Sequence, residues 1–320
     1  MSFAHDFPFD PSYGYGLREL LAISPPPEPA GFVSFWTRRY GAALTQDPAT
    51  QLSPSGIHRS GFRVHDIVYR STGGFPIRGW LLEPRSPRTR CALVLGHGYG
   101  GIDQPPEPLP LEDAVYLIPC FRGLGLSRRP PISEDPSWHV LHDIQDRDRY
   151  ILGGCVDDLW VGVTVLLQRY PQLAGRIGYA GISFGGGIGA LALPWDQRIA
   201  RGHLNVPSFG HQPLRLQLPT VGSADSVQRF DGGQGQVLET LAYYDAAVAA
   251  RHIRQPMHIA AALFDPAVAP PGQFAVYSGI PGQKQLYVLE AGHFDYPDRA
   301  RQERELLAEL RVFFGALGER

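Results

Sequence analysis

Five short apolar runs, separated by segments with helical spacing, constrain the fold of this chain more than any other feature of its sequence. Uninterrupted apolar runs of this length are typical of strands buried on both faces of a sheet. Strands that alternate with helices predict parallel βαβ units, so we expect an α/β fold with a mostly parallel sheet and helices on both faces. The runs are CALVLGHG (91–98), AVYLIPCF (114–121), RIGYAGIS (176–183), MHIAAALFD (257–265) and QLYVLE (285–290), and helical spacing is seen at Val156, Leu159, Val163, Leu166 and Tyr170 and at Leu306, Leu310, Phe313 and Leu317.

A hairpin precedes the first of these runs. Apolar and polar residues alternate between Phe62 and Tyr69, and a second apolar stretch, IRGWLLEP, occupies residues 77–84. Gly73 and Gly74 lie between the two stretches, which predicts two antiparallel strands joined by a glycine turn.

The first part of the chain follows neither pattern. Residues 1–30 are rich in Phe, Tyr and Pro and predict an irregular arm, and residues 31–45 have the spacing of a short helix. We therefore divide the chain into residues 1–60, an arm and short helix that pack on the core or on a neighbouring subunit, and residues 61–320, the α/β domain.

Composition excludes several classes of protein. The chain has 320 residues, of which 43% are hydrophobic and 19% charged, so it can bury a large core and is not disordered. The formal net charge of -2 indicates no electrostatic surface for nucleic acid or for an anionic membrane. The N-terminal sequence lacks the features of a signal peptide, and no apolar run has the length expected of a membrane span. We therefore expect a soluble, cytoplasmic protein.

The three cysteines, Cys91, Cys120 and Cys155, are odd in number and widely spaced, which does not indicate a disulfide framework. Cys91 and Cys120 lie in apolar runs and are expected to be buried free thiols. The eleven histidines form no H-x-x-x-H motif or Cys/His cluster, so we expect no metal and no cofactor.

The motif Gly181-Ile182-Ser183-Phe184-Gly185 carries the strongest chemical signal. It is a G-x-S-x-G sequence between a predicted strand and a predicted helix, where a tight turn exposes the serine as a nucleophile. The alternative is an ordinary turn serine. The segment 185–190 also fits the dinucleotide pattern G-x-G-x-x-A, but it lies mid-chain and no acidic residue ends the next apolar run, so we reject that interpretation.

A serine nucleophile needs a base, and the base needs a group that orients it. In α/β-hydrolases the chain order is Ser, then Asp or Glu, then His. Asp265 ends one predicted strand and His293 follows another, at the edge of the sheet where ligands bind. Asp295 and Asp298 lie closer to His293 in the sequence, but they follow it and end no strand.

Acyl transfer also needs two N–H groups directed at the oxygen that becomes negatively charged. We expect the backbone N–H groups of Phe184 and Tyr99 to form this oxyanion hole, since Phe184 follows the serine and Tyr99 lies in the glycine-rich loop after an early strand. His97, in the same loop, is expected to make structural hydrogen bonds. Tyr99, Phe184 and Pro207 are the expected lining of the substrate pocket.

At these residues the sequence resembles the acetyl xylan esterase / cephalosporin C deacetylase family, carbohydrate esterases with the α/β-hydrolase fold. The resemblance covers most of residues 60–315 and is carried by GHGYGG, FRGLG, RIGYAGISFGGGIGAL, NVPSFGH, YYD and LFDPAVAPP. It implies Ser183, Asp265 and His293 as the triad and the Tyr99 and Phe184 amides as the oxyanion hole. It also implies deacetylation of small acetylated sugars and related esters, often by a homo-oligomer that is a hexamer.

The sequence departs from that family at four positions. Phe184 stands where Gln is usual, and the segment that usually reads DTRGQG has Cys120 for the acid and Leu124 for Gln. Phe294 follows His293 where an acidic or other polar residue is expected. These changes leave the reaction type intact and affect the shape of the pocket.

The sequence therefore predicts a serine carboxylesterase that removes short, acetyl-sized acyl groups, with residues 61–320 as its α/β-hydrolase catalytic domain. The expected partner is a small acetylated substrate, with no nucleic acid and no membrane. Two alternatives are a peptidase or lipase-like hydrolase on the same fold and a non-catalytic binding protein that keeps the fold.

Overall fold

The computed structural model describes residues 3–86 and 88–319, which form a nine-stranded sheet in the order β1-β2-β3-β5-β4-β6-β7-β8-β9. The strands are β1 Gln51–Pro54, β2 Phe62–Arg70, β3 Pro76–Pro84, β4 Cys91–Gly96, β5 Ala114–Pro119, β6 Ile177–Ile182, β7 Ile199–Asn205, β8 Met257–Ala262 and β9 Lys284–Leu289. The helices are α1 Leu17–Leu21, α2 Phe32–Leu44, α3 Pro136–His139, α4 Ile151–Arg169, α5 Phe184–Ala192, α6 Gln212–Arg215, α7 Ser223–Asp231, α8 Leu238–Ala242, α9 Ala246–Ala250, α10 Pro270–Gly279 and α11 Arg299–Gly315.

The sheet is antiparallel at its beginning and parallel in the rest. Strands β1, β2, β3 and β5 pair antiparallel in that order, and β5, β4, β6, β7, β8 and β9 pair parallel. The predicted fold class and the hairpin of β2 and β3 are confirmed. All five apolar runs form strands, whereas β1 and β7 were not predicted.

The two faces of the sheet pack in separate hydrophobic layers. Ala92 and Val94 of β4 face the layer that contains α2, α4, α5, α9 and α10, while Cys91 and Leu93 of the same strand face the layer of α11. This follows from strand geometry, because successive side chains point to opposite faces. Cys91, Cys120 and Cys155 are all free and buried, as expected for Cys91 and Cys120.

Helix α4 corrects one expectation from the sequence. Its 19 residues are long and apolar enough, by length and composition, to cross a membrane, with a mean hydropathy of 1.4 in that stretch. In the fold, however, 83% of the stretch is buried. It packs on α2, α5 and the sheet, so the fold uses it as a core helix.

The N-terminal arm is extended, and its residues are alternately partly buried and exposed, which the sequence analysis did not predict. Its partly buried residues are Phe3, His5, Phe7 and Phe9, and its exposed residues are Ala4, Asp6, Pro8 and Asp10. Period-two burial is the pattern of a strand with one covered face, although this segment joins no strand of the sheet.

The covered face of the arm lies on the arm's own chain, beside the end of β8. The Phe3 ring packs against Phe264 and Phe294, with ring centroids 5.2 and 5.7 Å apart. The backbone N–H of Asp265 donates to the carbonyl oxygen of Pro11 at 3.0 Å. The arm therefore contacts both loops that carry the predicted acid and base.

A buried ion pair joins the loop after β5 to helix α4. Arg122 Nη2 lies 2.6 Å from Asp158 Oδ1, and their side chains are 13% and 0% exposed. The backbone N–H of Arg122 donates to the same carboxylate, and its guanidinium also donates to Ser71 and Thr72. Removing only one member of a charge pair this well enclosed and hydrogen-bonded destabilises the fold strongly, because the other charge stays buried without compensation.

Replacing Arg122 with Leu should lower the free energy of unfolding by about 3–5 kcal/mol, because it leaves the Asp158 carboxylate buried without its cation. Urea titration followed by circular dichroism measures this. The control is Arg38→Leu, whose exposed pair with Asp148 should contribute less than about 1 kcal/mol. Equal losses for both variants would contradict the assignment of Arg122.

Candidate active site

Ser183 lies at the sharp turn between β6 and α5. Its backbone has φ 54° and ψ −113°, a strained conformation for a residue with a side chain. Three hydrogen bonds hold the turn: the N–H of Ser183 donates to Asn205, and its carbonyl oxygen accepts from Gly187 and Ser208. Its side chain is therefore presented at the carboxyl end of the parallel sheet.

Glycines around the serine allow an unusually close approach of backbone segments. A Cβ atom on Gly185 would lie 2.5 Å from the backbone of Gly96 in β4, and one on Gly181 would lie 2.5 Å from the carbonyl oxygen of Gly185. The hydroxyl of Tyr179 fills the remaining space and donates to Gly185 at 2.5 Å. These positions exclude any larger residue, which gives the G-x-S-x-G pattern its physical reason.

The structure brings Ser183, His293 and Asp265 together. His293 Nε2 lies 2.8 Å from Ser183 Oγ, and His293 Nδ1 lies 2.8 Å from Asp265 Oδ2. Since a carboxylate only accepts, Nδ1 carries the proton and donates to Asp265, which leaves Nε2 to accept from the serine hydroxyl. Asp295 and Asp298 point elsewhere, to Arg299 and Arg301.

The environment of the imidazole favours its charged form. Burial alone would lower the pKa of His293, but the charge of Asp265 and its hydrogen bond outweigh burial and raise that pKa above its ordinary value. Asp265 is fully buried, and its other oxygen accepts from the N–H groups of Ala267 and Val268. The carboxylate is therefore held in one orientation.

The loop after β4 lies over the serine. A Cβ atom on Gly98 would be 3.9 Å from the Ser183 Cβ, and within residues 3–86 and 88–319 the N–H groups of Tyr99 and Phe184 have no acceptor. His97 holds the loop: its Nε2 accepts from the N–H of Phe121, and its Nδ1 donates to the carbonyl of Gly98. Burial lowers the pKa of His97 to about 4, so it stays neutral in its structural role.

Of the three residues expected to line the pocket, only Tyr99 is partly exposed. The ring of Phe184 is fully buried beneath Tyr99, with centroids 4.2 Å apart, and is enclosed by Phe121 and Phe209. Pro207 is buried against α5, next to Gly186. Contrary to the expectation, Phe184 and Pro207 therefore do not line the surface beside Ser183 but lie buried behind it, because the packing of α5 and of the aromatic rings encloses them.

Two contacts near the site were missed by the sequence analysis. Gln273 is fully buried, and its side-chain amide donates to Asp265 Oδ2 at 3.0 Å while its carbonyl oxygen accepts from the N–H of Ala262. His139 places Nδ1 3.4 Å from the hydroxyl of Tyr99. Neither residue lies in a recognisable motif, and only folding brings each to its partner.

A family model for acetyl xylan esterase matches residues 17–307 of the chain. The chain belongs to the acetyl xylan esterase family. This protein is accordingly a carboxylic ester hydrolase of the carbohydrate esterase type, as the sequence resemblance predicted.

Solved structures agree on the fold. The chain is similar to acetyl xylan esterase 1 from Thermoanaerobacterium sp., with 19% identity over 94% of this chain and 99% of that chain and a TM-score of 0.77. It is similar to the acetyl xylan esterase from Paenibacillus sp. R4, with 20% identity over 93% and 100% and a TM-score of 0.80. An acylaminoacyl peptidase from Pyrococcus horikoshii matches at 16% identity and a TM-score of 0.62, over 80% of this chain and 42% of that chain.

Asp265→Asn should lower the pKa of His293, because it removes the negative charge that favours the imidazolium. A histidine-selective NMR titration measures the midpoint in both proteins. Asp295→Asn, on an exposed carboxylate two residues from His293, is the matched control and should leave the midpoint in place. A midpoint that is unchanged in Asp265→Asn would show that Asp265 does not set the charge of His293.

Proposed function

We propose that this protein is a serine carboxylesterase that removes short, acetyl-sized groups from acetylated sugars or related small esters. The observation that carries the proposal is the unbroken chain of hydrogen bonds from Ser183 Oγ through His293 to Asp265, with both contacts at 2.8 Å. A serine hydroxyl linked in this way to an oriented imidazole is an activated nucleophile.

In the proposed reaction, Ser183 Oγ attacks the ester carbonyl while His293 Nε2 takes the hydroxyl proton. The carbonyl oxygen becomes an oxyanion and accepts hydrogen bonds from the N–H groups of Tyr99 and Phe184. The bond to the alcohol then breaks, and His293 returns the proton to the departing alcohol oxygen. Water, deprotonated by His293, hydrolyses the acyl-enzyme and releases the carboxylic acid and free Ser183.

Asp265 and Gln273 orient the base in this scheme. The Asp265 carboxylate keeps the Nδ1 proton on His293 and stabilises the imidazolium that forms during each step. Gln273 fixes the carboxylate by donating to the same oxygen that accepts from His293. It is a positioning residue, since it contacts neither the nucleophile nor the base.

The aromatic packing beside Ser183 supports a short acyl group. The Tyr99 ring rests on Phe184, which is enclosed by further rings, so neither side chain moves aside without opening a void. Each methylene added to an acyl chain would gain about 0.8 kcal/mol by burial. Overpacking costs about 1–3 kcal/mol, so the steric cost of a longer acyl chain should outweigh the gain from burying it.

Ser183→Ala and His293→Ala should each lower kcat by several orders of magnitude, because they remove the nucleophile or its base. The assay is hydrolysis of 4-nitrophenyl acetate, with circular dichroism to confirm folding. A fluorophosphonate probe should label the wild type and not Ser183→Ala. Folded Ser183→Ala that kept most of the activity would refute the proposal, as would a wild type that hydrolyses no ester.

The ratio kcat/KM should fall about tenfold or more from acetyl to butyryl 4-nitrophenyl esters, a difference of about 1.4 kcal/mol. Tyr99→Ala and Phe184→Ala should both reduce the difference in kcat/KM between acetyl and butyryl esters. Both variants should still hydrolyse acetyl esters, because their backbone N–H groups remain. Phe184→Ala should also lower the melting temperature, since its ring is fully buried. A rate that rises through butyryl would indicate an open acyl groove instead.

A further inference from the structure

A small cavity adjoins the triad on the side of the loop after β7. It measures about 30 Å³ and its wall includes Ser208, Phe209, Arg215, Ser223 and Ala267. The N–H of Ser208 donates to the carbonyl of Ser183, and the N–H of Ala267 donates to Asp265. The backbone that holds the nucleophile and its acid therefore also forms the wall of this cavity.

Arg215 is an unusual residue to find in such a wall. Its guanidinium lies 5.3 Å from the centre of the Phe209 ring and donates to Gln212 Oε1 at 3.3 Å and to Ser223 Oγ at 3.2 Å. Within the part of the chain that the structure describes, no carboxylate forms an ion pair with it. Three other partly buried arginines have an aspartate partner: Arg39 with Asp157, Arg122 with Asp158 and Arg198 with Asp196. Arg147 and Arg251 resemble Arg215 in forming no ion pair with a described carboxylate, but they do not line this cavity.

Because no described carboxylate forms an ion pair with Arg215, some N–H donors of its guanidinium have no protein acceptor. A guanidinium has five N–H donors, and these contacts engage two of them. Burial lowers the pKa of Arg215, and the groups around it that favour its charged form, among them the carboxylate of Asp245, compensate for burial only in part. An anion in the cavity would add to that compensation.

The N-terminus of α7 contributes a second positive feature to the same cavity. Ser223 and Ala224, its first two residues, both line the wall. Their N–H groups have no acceptor among residues 3–86 and 88–319, and the N-cap is Gly222, which has no side chain to supply one. A helix N-terminus with free N–H groups attracts negative charge through its dipole.

The carboxylates nearest to these groups already have partners. Asp225 pairs with Arg229, whose side chain is 75% exposed. Asp245 accepts hydrogen bonds from four backbone N–H groups, and Asp265 accepts from His293 and Gln273. None of them forms an ion pair or a hydrogen bond with Arg215, and the charge of Asp245 acts on it without direct contact. The two positive features therefore remain available to a ligand.

We propose that Arg215 and the N-terminus of α7 form an anion subsite, and that the ester hydrolysed at Ser183 carries a carboxylate that binds there. This rests on the proposed esterase function and names its substrate class. A cavity of about 30 Å³ holds about two water molecules, which is enough room for a carboxylate. A planar carboxylate also suits the guanidinium, which can donate to both of its oxygens.

Two matched pairs of esters test the subsite by kcat/KM in a pH-stat assay. The first pair is 2-acetoxypropanoate and its neutral amide, which place the charge in the alcohol part. The second is monomethyl succinate and methyl succinamate, which place it in the acyl part. The wild type should prefer the charged member of one pair by at least tenfold, and the pair that shows the preference identifies the part of the substrate that carries the carboxylate.

Arg215→Gln should reduce that preference to within about threefold, and Arg215→Lys, which keeps the charge, should retain part of it. Arg229→Gln is the control, because it removes an exposed arginine from helix α7, whose N-terminus contributes to the subsite, and it should leave the preference intact. A preference that survives in folded Arg215→Gln would overturn the subsite.

Inhibition of the wild type gives a test that requires no variant. Propanoate should inhibit 4-nitrophenyl acetate hydrolysis with a Ki at least tenfold lower than that of propanamide, and added salt should narrow the difference. Equal Ki values, or a wild type that hydrolyses neutral and charged esters equally, would overturn the subsite while the esterase function stands. Failure to hydrolyse any ester would instead overturn the esterase function itself.

Discussion

The contact of helix α5 with strands β4 and β6 is the constraint on which the rest of the site depends. A Cβ atom on Gly181 or Gly185 would lie 2.5 Å from the backbone of a neighbouring segment, and one on Gly96 would collide with the hydroxyl of Tyr179. This approach forces Ser183 into its strained turn and leaves the N–H of Phe184 without an acceptor, within the region that the structure describes. It also fixes the loop after β4, because the N–H of Gly185 donates to the carbonyl of His97 at 2.9 Å. The position of Ser183 and of the N–H groups beside it is thus set by one close-packed junction.

Much of this arrangement could be predicted from the sequence, because parallel sheets impose a simple rule. The carboxyl ends of parallel strands meet at one edge, so Asp265 and His293 had to lie near Ser183 once the apolar runs were recognised as strands. The glycine pattern around Ser183 and the chain order of the three residues depend on local sterics and on topology. Both leave direct marks in the sequence, and the same marks led to the correct family.

Other features depend on contacts that no local pattern records. Strand β7 carries Arg201 and His203 within its run, so the apolar signal that revealed its neighbours is interrupted there. The sequence predicted that Phe184 would face the substrate, whereas the fold buries its ring under Tyr99. Gln273 supports Asp265 only because α10 turns back against β8. Arg215 likewise looks ordinary in the sequence, and only the fold reveals that no carboxylate among the described residues forms an ion pair with it.

The contacts of the extended arm determine when it can dock during synthesis of the chain. Residues 3–11 leave the ribosome long before the surface that they cover, which consists of Phe264, Asp265 and Phe294. During most of translation the aromatic side chains of the arm therefore have no native partner. This segment can dock only after residues 264–294 have been made, and a bulky group attached to it would interfere at the loops that carry Asp265 and His293.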